Sequence, residues 1–418
     1  MNILFFCLSL PDLDSQGGFY ADLIKMMAEK GHNIYALCST ENGMPKGLST
    51  EHGVNVLRVD VLFLRRNTSM MRKGLGSLMI NPRFYRAYKK HFRKITFDWL
   101  ILPTPPATMV EVVKKIKKNQ KTKVYVILRD IQPECDERSN ISPEILERTD
   151  VYNECKKPYG IHPVARRLLY NKSQSLYKIV DIIGCMTPGN VEFVKKIAPY
   201  VGNNKLKVLP NWYAEPEYIA VDVQSVRDKL NLKGKFVAIF GGNIGPQQAV
   251  WNIAQLAKMN INKKDVVFLV VGRGVAKHTL EDMARRDKLT NIIFLEYMPR
   301  EDYEAVLQTA DIGIISLDEK YQVPTCPSKI IGYMALSKPV LAMFNKGSDY
   351  GEFYIDNPGC GLWSVDLDYK KMQENFEWFY SHPDERKRMG LSGYNYYKKY
   401  LSAKTIAETL DAQLKGIL

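Results

Sequence analysis

Two segments half a chain apart place glycines between an apolar strand pattern and a helix pattern. The first joins residues 2–7 to Gly17 and Gly18, and the second joins residues 236–240 to the glycine-rich residues 241–245. A glycine at such a turn lets backbone N–H groups approach a phosphate, and the following helix presents its positive N-terminus. Two such segments predict two nucleotide-binding halves that face a shared cleft.

Two basic residues could complete a phosphate site. Lys329 follows Ser328, a good helix N-cap, so the pattern predicts a lysine at a helix N-terminus, where it suits a diphosphate. Arg273 ends a predicted strand, and its guanidinium group can match phosphate oxygens bidentately. The alternatives are an ordinary capped helix with a solvated lysine and a surface arginine.

The elements that must position these residues follow an α/β pattern. Short strands rich in Val, Ile and Leu alternate with helical patterns, which is typical of a doubly wound parallel sheet. Strands are predicted at residues 2–7, 33–38, 54–59, 99–102, 123–128 and 180–185, and again at 236–240, 266–271, 292–295, 311–316 and 339–343. Residues 208–216 contain two prolines and are predicted to form a hinge, and the chain after Gly361 is predicted to be helical.

The charge points to an anionic partner. The 418 residues include 59 Lys and Arg against 45 Asp and Glu, a formal net charge of +14, which fits nucleic acid, a membrane surface or a phosphorylated substrate. Residues 61–128 hold sixteen of the basic residues and two acids. Apolar side chains lie between several of these basic residues, including Arg65, Arg66, Arg72 and Lys73. This mixture suits an anionic membrane surface, and a solvated basic helix is the alternative.

Six short motifs occur together in one order along the chain. They are Gly17-Gly18, Lys30-Gly31-His32, Pro210-Asn211, Gly242-Asn-Ile-Gly245, Gly272-Arg-Gly274 and Pro327-Ser-Lys followed by Met334-Ala and Lys338-Pro-Val340. In this combination the sequence resembles glycosyltransferase family 4, in particular the branch of the bacterial L-fucosamine transferases of O-antigen and capsule assembly. The resemblance implies a GT-B fold, with two Rossmann-like domains that face a central cleft.

The resemblance also implies a division of labour between domains. Residues 1–207 would bind the acceptor, residues 208–385 would bind a nucleotide-sugar, and helices in residues 386–418 would pack back on the N-terminal domain. The residues that it implies at the donor are Gly17, Gly18, Gly242, Asn243, Gly245, Gln247, Arg273, Tyr297, Ser328, Lys329 and Tyr333. At Tyr297 the backbone matters more than the side chain, since the family usually contacts the base there through main-chain groups.

The sequence departs from the family at two points. Many members carry two glutamates eight positions apart, and Pro324 and Gly332 occupy those positions here. Ribose binding is therefore assigned to Tyr333 or to the backbone. The basic residue that usually follows the glycine-rich loop is also missing, because Gln247 and Gln248 stand there.

Polar residues after two predicted strands of the first half mark the acceptor side. Thr104 follows one strand and Arg129-Asp130 follows the next, and ligands of α/β sheets bind at such strand ends. Asp130 is predicted to be the carboxylate nearest the acceptor hydroxyl, although a loop aspartate before a proline is often a turn residue. Glu134 and His162, each in a predicted loop, are predicted to approach the same acceptor.

The family's retaining chemistry is described as front-face, with the departing phosphate taking the acceptor proton. No protein nucleophile is then needed, and stabilisation of the phosphate supplies most of the catalysis. Asp12-Leu-Asp14 and Asp366-Leu-Asp368 match the short pattern that some glycosyltransferases use for a metal. A pair of carboxylates is a common coincidence, so metal-independent transfer is expected, with no cofactor beyond the nucleotide-sugar.

The resemblance therefore implies a retaining enzyme that moves an N-acetyl amino sugar from a UDP-linked donor to a polyprenyl-diphosphate-linked saccharide in surface polysaccharide synthesis. It would lie in the cytoplasm at the inner face of the cell membrane, where the seven cysteines, which form no CxxC pair, would be buried thiols. The alternatives are a GT-B-fold UDP-sugar epimerase and a basic nucleic-acid-binding protein. A dinucleotide dehydrogenase is disfavoured because no GxGxxG follows the first strand.

Overall fold

The computed structural model describes residues 1–15, 17–40, 44–61, 70–104, 107–129, 131, 163–216, 222–319 and 327–417. These residues form two compact units. The first unit is built from the residues up to 131, residues 163–214 and residues 402–417, and the second from residues 215–401. Each unit is an α/β domain with its own sheet and its own apolar core.

The first unit contains an eight-stranded sheet in the order β3-β4-β2-β1-β5-β6-β7-β8. Its strands are β1 (Asn2–Phe6), β2 (Asn33–Ser39), β3 (Gly47–Glu51), β4 (Val54–Val59), β5 (Trp99–Thr104), β6 (Lys123–Leu128), β7 (Ile182–Cys185) and β8 (Leu206–Val208). All neighbours are parallel except the edge pair β3 and β4. The strand order reverses between β1 and β5, so the ligand-binding switch point of this sheet lies at their carboxyl ends.

Helices cover the faces of the first sheet. They are α1 (Phe19–Glu29), α2 (Met70–His91), α3 (Val110–Asn119), α4 (Pro163–Tyr177) and α5 (Pro188–Ile197). Buried residues of α1, such as Leu23 and Met27, join Phe5 and Ile101 of the sheet in one core. Apolar residues spaced three and four apart thus place one face of the helix on the sheet.

The second unit contains a six-stranded sheet in the order β11-β10-β9-β12-β13-β14, with all neighbours parallel. Its strands are β9 (Phe236–Asn243), β10 (Val266–Arg273), β11 (Ile292–Leu295), β12 (Ile312–Ser316), β13 (Val340–Phe344) and β14 (Gly361–Val365). This is the Rossmann order, with its switch point between β9 and β12. β14 corrects the helical prediction for the residues after Gly361, because they pair with β13 before the helices begin.

The helices of the second unit alternate with its strands. They are α6 (Val223–Lys229), α7 (Trp251–Met259), α8 (Lys277–Arg286), α9 (Arg300–Gln308), α10 (Lys329–Ala335), α11 (Tyr369–Ser381) and α12 (Pro383–Tyr396). One core joins Phe240 of β9 and Phe268 of β10 to Phe376 of α11. Among the described residues of both units, no helix is long and apolar enough to cross a bilayer.

The last helix, α13 (Ala403–Lys415), belongs to the first unit and packs on α1. The Ala403 N–H donates to the carbonyl of Tyr213 at 3.0 Å, and the Ser402 hydroxyl caps the helix. At its other end Asp411 Oδ1 lies 2.9 Å from Nε2 of His32, whose pKa is lowered by burial. The prediction that C-terminal helices cross back is confirmed for α13, whereas α12 stays with the second unit.

Candidate functional site

The glycine-rich loop of the second unit lies at the carboxyl ends of β9 and β10, where the two backbones approach closely. Gly242 pairs with Gly272, and these glycines have φ angles of +100° and +132°. A Cβ atom on Gly272 would lie 2.0 Å from the carbonyl oxygen of Gly242. Only glycine therefore allows this approach, and it leaves Gly242 and Asn243 exposed at the strand ends.

The same close contact continues past the strands. A Cβ atom on Gly274 would lie 2.2 Å from the carbonyl oxygen of Ile244. The Ile244 N–H donates to Arg273 O, and the Ala276 N–H donates to Ile244 O, both at 3.0 Å. The Gly-Arg-Gly motif therefore braces the glycine-rich loop from the side of β10. Within the loop Gly245 is buried and Gln247 is exposed.

Lys329, the first residue of α10, places its amine beside the carboxyl end of β9. Its Nζ atom donates to Gln248 Oε1 at 2.7 Å and lies 3.7 Å from the centroid of the Phe240 ring. A Cβ atom on Gly242 would lie 4.0 Å from Lys329 Cε, so the lysine borders the exposed glycine. Burial of the amine lowers the pKa of Lys329 to about 7.

This geometry accounts for a departure from the family noted in the sequence. Gln248 stands where the basic residue after the glycine-rich loop is missing, and its amide oxygen holds the amine of Lys329. The cation thus reaches the loop from α10. The hydrogen bond between Gln248 and a lysine 81 positions later could not be predicted from local sequence.

Ser328 does not cap α10 as predicted. Its backbone already has helical angles, φ −60° and ψ −17°, and its hydroxyl makes no capping hydrogen bond. A capping residue needs an extended backbone so that its side chain can fold back onto the first amides of the helix. Ser328 is half-buried beside Lys329, and the Ile331 N–H donates to its carbonyl at 3.1 Å.

Tyr333 lies in the core, which argues against the prediction that its side chain binds ribose. The side chain is fully buried, and its hydroxyl accepts from the Gly241 N–H at 3.2 Å. The same hydroxyl lies 3.2 Å from the carbonyl oxygen of Ile314, and burial raises the pKa of Tyr333. Tyr333 therefore supports the start of the glycine-rich loop through Gly241, and its hydroxyl joins β9 to β12.

Arg273 and Tyr297 form an exposed pair on the β10 side of the loop. The guanidinium carbon of Arg273 lies 4.1 Å from the centroid of the Tyr297 ring, and 58% of Tyr297 is exposed. The next basic residue, Lys277, is engaged elsewhere, with its amine 2.5 Å from Glu296 Oε1. Arg273 therefore presents a positive charge, supported by an aromatic ring, at the same strand ends as Gly242.

At the carboxyl end of β6, the neighbour of β5 in the first sheet, Arg129 is held by an aromatic stack. Its guanidinium carbon lies 3.5 Å from the centroid of the Phe19 ring, and Nε donates to Asn211 Oδ1 at 3.0 Å. The Phe19 ring in turn stacks on Trp212 at 3.9 Å, and the Trp212 Nε1–H donates to Phe19 O at 2.8 Å. The predicted hinge thus contributes Asn211 and Trp212 to this cluster, which fixes the arginine at the end of β6.

Two other predicted residues of the first unit have structural partners. Gly18, next to the exposed Gly17, has an extended backbone, and its N–H donates to Asp22 Oδ1 at 3.2 Å. This N–H is therefore already paired, and the role of Gly18 in letting the first loop approach the donor phosphate stays a prediction. Thr104 is buried at the end of β5, and its hydroxyl lies 3.4 Å from Ile127 O.

All four carboxylates of the two Asp-x-Asp motifs accept hydrogen bonds from other groups of the chain. Asp12 accepts from the Asp14 N–H at 3.1 Å and from the Ser15 hydroxyl at 2.8 Å, which makes a turn. Asp368 caps α11 by accepting from the Lys371 N–H at 3.0 Å. In the part of the chain that the structure describes, no group of three or more His, Cys, Asp or Glu residues could hold a metal ion.

Several predicted residues lie outside the described residues. These are Asp130, Glu134, His162, Arg65 and Arg66. Arg72 and Lys73 lie in the first turn of α2, where only the backbone is described. Their roles at the acceptor and the membrane stay predictions.

Comparisons with known proteins support the interpretation of the second unit and of the fold. Residues 222–396 match the family model described as "Glycosyl transferases group 1". Over 218 residues the chain is 26% identical to "Probable glycosyltransferase WbjE" of Pseudomonas aeruginosa, covering 51% of this chain and 53% of that protein. Over 172 residues it is 25% identical to "Putative colanic acid biosynthesis glycosyl transferase WcaI" of Escherichia coli K12, covering 40% of this chain and 42% of that protein.

The chain thus matches about half the length of these curated relatives. A likeness over the whole chain comes from solved structures. Anabaena HepE in complex with UDP superposes with a TM-score of 0.67 at 14% identity, covering 100% of both chains. The predicted fold class is therefore confirmed: the chain has a GT-B fold whose second unit carries the sequence signature of glycosyl transferases group 1.

Proposed function

We propose that the chain is a retaining glycosyltransferase that moves a sugar from a UDP-linked N-acetyl amino sugar to a lipid-linked saccharide in the synthesis of a bacterial surface polysaccharide. The observation that carries the proposal is the amine of Lys329 beside the exposed Gly242 at the switch point of the second sheet. The group 1 match over this unit, the name of WcaI and the UDP bound to HepE support the same donor class and pathway type.

The donor diphosphate would bind at the carboxyl ends of β9 and β10. Lys329 supplies one cation and Arg273 a second, while the exposed backbone of Gly242 and Asn243 allows close approach of phosphate oxygens. These groups stabilise the negative charge that grows on the leaving diphosphate, which is where such an enzyme gains most of its rate. The base would lie along the backbone near Tyr297, and ribose would be left to backbone groups.

The first unit would bind the acceptor. In front-face transfer the acceptor hydroxyl gives its proton to a departing phosphate oxygen and its oxygen bonds to the anomeric carbon, while the bond from that carbon to the diphosphate oxygen breaks and the nucleoside diphosphate leaves. No protein nucleophile forms a covalent intermediate. Asp130 is the proposed carboxylate nearest that hydroxyl. Arg129, fixed on the Phe19 ring, is the proposed cation for an anionic part of the acceptor such as its diphosphate.

Thermal stabilisation by nucleotides tests the donor site. The full chain is heated with UDP, UDP-N-acetylglucosamine, GDP, NAD or duplex DNA, and a ligand that binds the folded state raises the melting temperature. We expect a rise with UDP or a UDP-sugar alone. A rise with DNA and none with any nucleotide would instead favour the nucleic-acid-binding alternative. Conversion of a UDP-sugar without an acceptor would favour the epimerase.

Donor affinity should depend on pH through Lys329. The amine has a pKa of about 7 in the free protein, and only its protonated form attracts the diphosphate. Binding therefore takes up a proton above pH 7, and the Kd should rise about tenfold for each pH unit above that value. The probe is UDP-N-acetylglucosamine, because both of its phosphates are esterified and keep their charge, and calorimetry from pH 6 to pH 9 measures the change.

The control for this profile is Lys329→Arg, because arginine stays protonated throughout the range. Its affinity should be nearly constant between pH 6 and pH 9. A wild-type Kd that does not change over this range would show that the titration of Lys329 does not govern donor binding.

The proposed site of action is the inner face of the cell membrane, reached through the basic residues of the first unit. Their described members on and after the last turns of α2 are exposed; they are Arg86, Lys89, Lys90, Arg93 and Lys94. Glu111, the acidic residue of α3, is already paired with Lys172 at 3.0 Å. A surface with such an excess of cations suits anionic lipid headgroups, at about 1 kcal/mol for each basic residue near the bilayer.

Replacing Arg65, Arg66, Arg72 and Lys73 with Ser should weaken binding to liposomes that contain anionic lipid. The loss should exceed tenfold in sedimentation assays, since about four favourable contacts of that size are removed. The matched control removes four exposed lysines from the second unit, Lys229, Lys233, Lys264 and Lys387. Equal liposome binding by the two variants would make the first-unit residues an ordinary solvated surface.

A further inference from the structure

A buried carboxylate stands at the end of β14, in the second Asp-x-Asp motif. Only 4% of Asp366 is exposed. Its Oδ1 atom accepts from Asn252 Nδ2 at 2.6 Å and from the Leu367 N–H at 2.9 Å, and its Oδ2 atom accepts from the Glu319 N–H at 2.9 Å. These hydrogen bonds occupy both oxygens of the carboxylate. They connect the end of β14 to Asn252 in α7 and to Glu319, which follows β12.

The hydrogen bond from Asn252 connects Asp366 to the end of the glycine-rich loop through a second buried side chain. Asn252 Nδ2 also donates to Ser316 Oγ at 2.9 Å, and that hydroxyl donates to the carbonyl of Ala249 at 3.1 Å. Asn252 and Ser316 are both fully buried. Ala249 has φ +38°, an angle that a residue with a side chain adopts only where its surroundings hold it. The three buried groups therefore fix the last residue of the loop.

The bond from the Glu319 N–H to Asp366 supports the loop residues that precede Ala249. The Glu319 N–H is held by Asp366, and the neighbouring Asp318 N–H donates to Gln247 O at 3.0 Å. Gln248 lies between the two fixed positions, and its Oε1 atom accepts from Lys329 Nζ. Loss of the Asp366 carboxylate would therefore release the contacts on both sides of Gln248. The side chain of Gln248 orients the Lys329 amine.

We propose that Asp366 is a positioning residue for the donor site, which holds Gln248 and Lys329 in place through Asn252, Ser316 and the amide of Glu319. The inference rests on the proposed function of Lys329. It gives a role to a motif that otherwise resembles a metal site. Asp366 does not touch the donor, because its carboxylate is buried and fully engaged at the end of β14.

A carboxylate suits this position because every group that faces it is a donor. Asparagine at position 366 would keep one acceptor oxygen but would turn an amide NH2 toward the Glu319 N–H, so two donors would meet. Burial raises the pKa of Asp366 to about 6, and the Asn252 amide together with the Glu319 and Leu367 N–H groups opposes that rise. The other ionisable groups near it are Glu319 and Tyr369, whose pKa values are also raised.

The test compares Asp366→Asn with Asp368→Ala in the full chain. Asp368→Ala removes the cap of α11 two residues away and should lower the melting temperature without touching the loop. For Asp366→Asn we expect the Kd for UDP to rise about tenfold, the effect of one lost hydrogen bond to a buried charged group. Hydrogen exchange of the peptides over residues 241–252 and 312–319 should accelerate in this variant alone.

Ser316→Ala is a milder second variant, which removes the hydroxyl that bonds Ala249 O and should change both readouts in the same direction. An unchanged UDP Kd in folded Asp366→Asn and Ser316→Ala would overturn the inference, as would equal effects in Asp368→Ala. Failure of the wild-type chain to bind UDP would instead overturn the proposed function. Hydrogen exchange, which needs no ligand, would then still decide whether Asp366 restrains the loop.

Discussion

Lys329→Met should abolish measurable binding of UDP-sugars and at the same time raise the melting temperature. Two charge-assisted hydrogen bonds to a diphosphate contribute about 3 kcal/mol or more, so their loss should raise the Kd by at least about 100-fold. The Lys329 amine lies 3.7 Å from the centroid of the Phe240 ring, and a methionine thioether also packs favourably against an aromatic ring. The change in affinity should therefore come from the lost amine.

The gain in stability follows from the cost of burying the lysine amine. Its pKa is about 7 in the folded chain against 10.5 for an ordinary lysine, so between these pH values the unfolded chain binds more protons. The free energy of unfolding therefore rises with pH from about 7 to about 10.5 and is lowest below pH 7. Methionine removes this cost, and the melting temperature at pH 7 should rise by several degrees, measured by calorimetry.

Lys338→Met is the matched control. Burial also lowers the pKa of Lys338, to about 8, but its amine donates to the carbonyls of Gln308 and Ala310, both at 2.8 Å. Methionine there removes the lysine donor from two part-buried carbonyls, so this variant should be less stable and should bind UDP normally. A Lys329→Met variant with UDP affinity within twofold of wild type would exclude Lys329 from the donor site.

The strands of both sheets could be predicted where the signal is local. Short runs rich in Val, Ile and Leu mark the strands, and β4, β6 and β11 have the predicted bounds. β9 and β10 extend two to three residues further than predicted, into the glycines, because the close approach of Gly242 and Gly272 lets the ladder continue. That approach depends on two segments 30 residues apart, which no local pattern reports.

The strands that were missed are short or atypical. β3 is an antiparallel edge strand with polar alternation, and β8 has three residues. β14 begins with Gly361, whose Cβ would lie 2.1 Å from Val340 O, so a residue that usually interrupts a strand here permits its pairing. Without that pairing the end of β14 could not be located, and the position of Asp366 at a strand end could not be predicted.

The residues of the candidate site also divide into those that local sequence predicts and those whose contacts form only in the folded sheet. Gly242 and Gly245 could be predicted at the site because a strand, a glycine turn and a helix are neighbours in sequence. The bond from Lys329 to Gln248 and the buried hydroxyl of Tyr333 could not, because each joins segments that only the folded sheet brings together. Ser328 was misjudged because residue type alone does not give its backbone angles.

Gly272→Ala should have the largest effect on stability of any conservative change at the site. The residue has φ +132°, and its new methyl group would lie 2.0 Å from the carbonyl oxygen of Gly242. Real Cβ atoms do not approach backbone that closely, so β9 and β10 must separate at the glycine-rich loop. The expected loss is about 4 kcal/mol or more, which would lower the melting temperature of the second unit by more than about 10 °C.

The matched control is Gly347→Ala, which separates the backbone angle from the collision. Gly347 has φ +84°, and no atom lies within 4 Å of its Cβ position, so alanine there should cost only about 1–2 kcal/mol. Calorimetry of both variants measures the difference, and equal melting temperatures would contradict the close approach of β9 and β10. Because the same strand ends hold Gly242 beside Lys329, any Gly272→Ala protein that still folds should also lose UDP affinity, whereas Gly347→Ala should keep it.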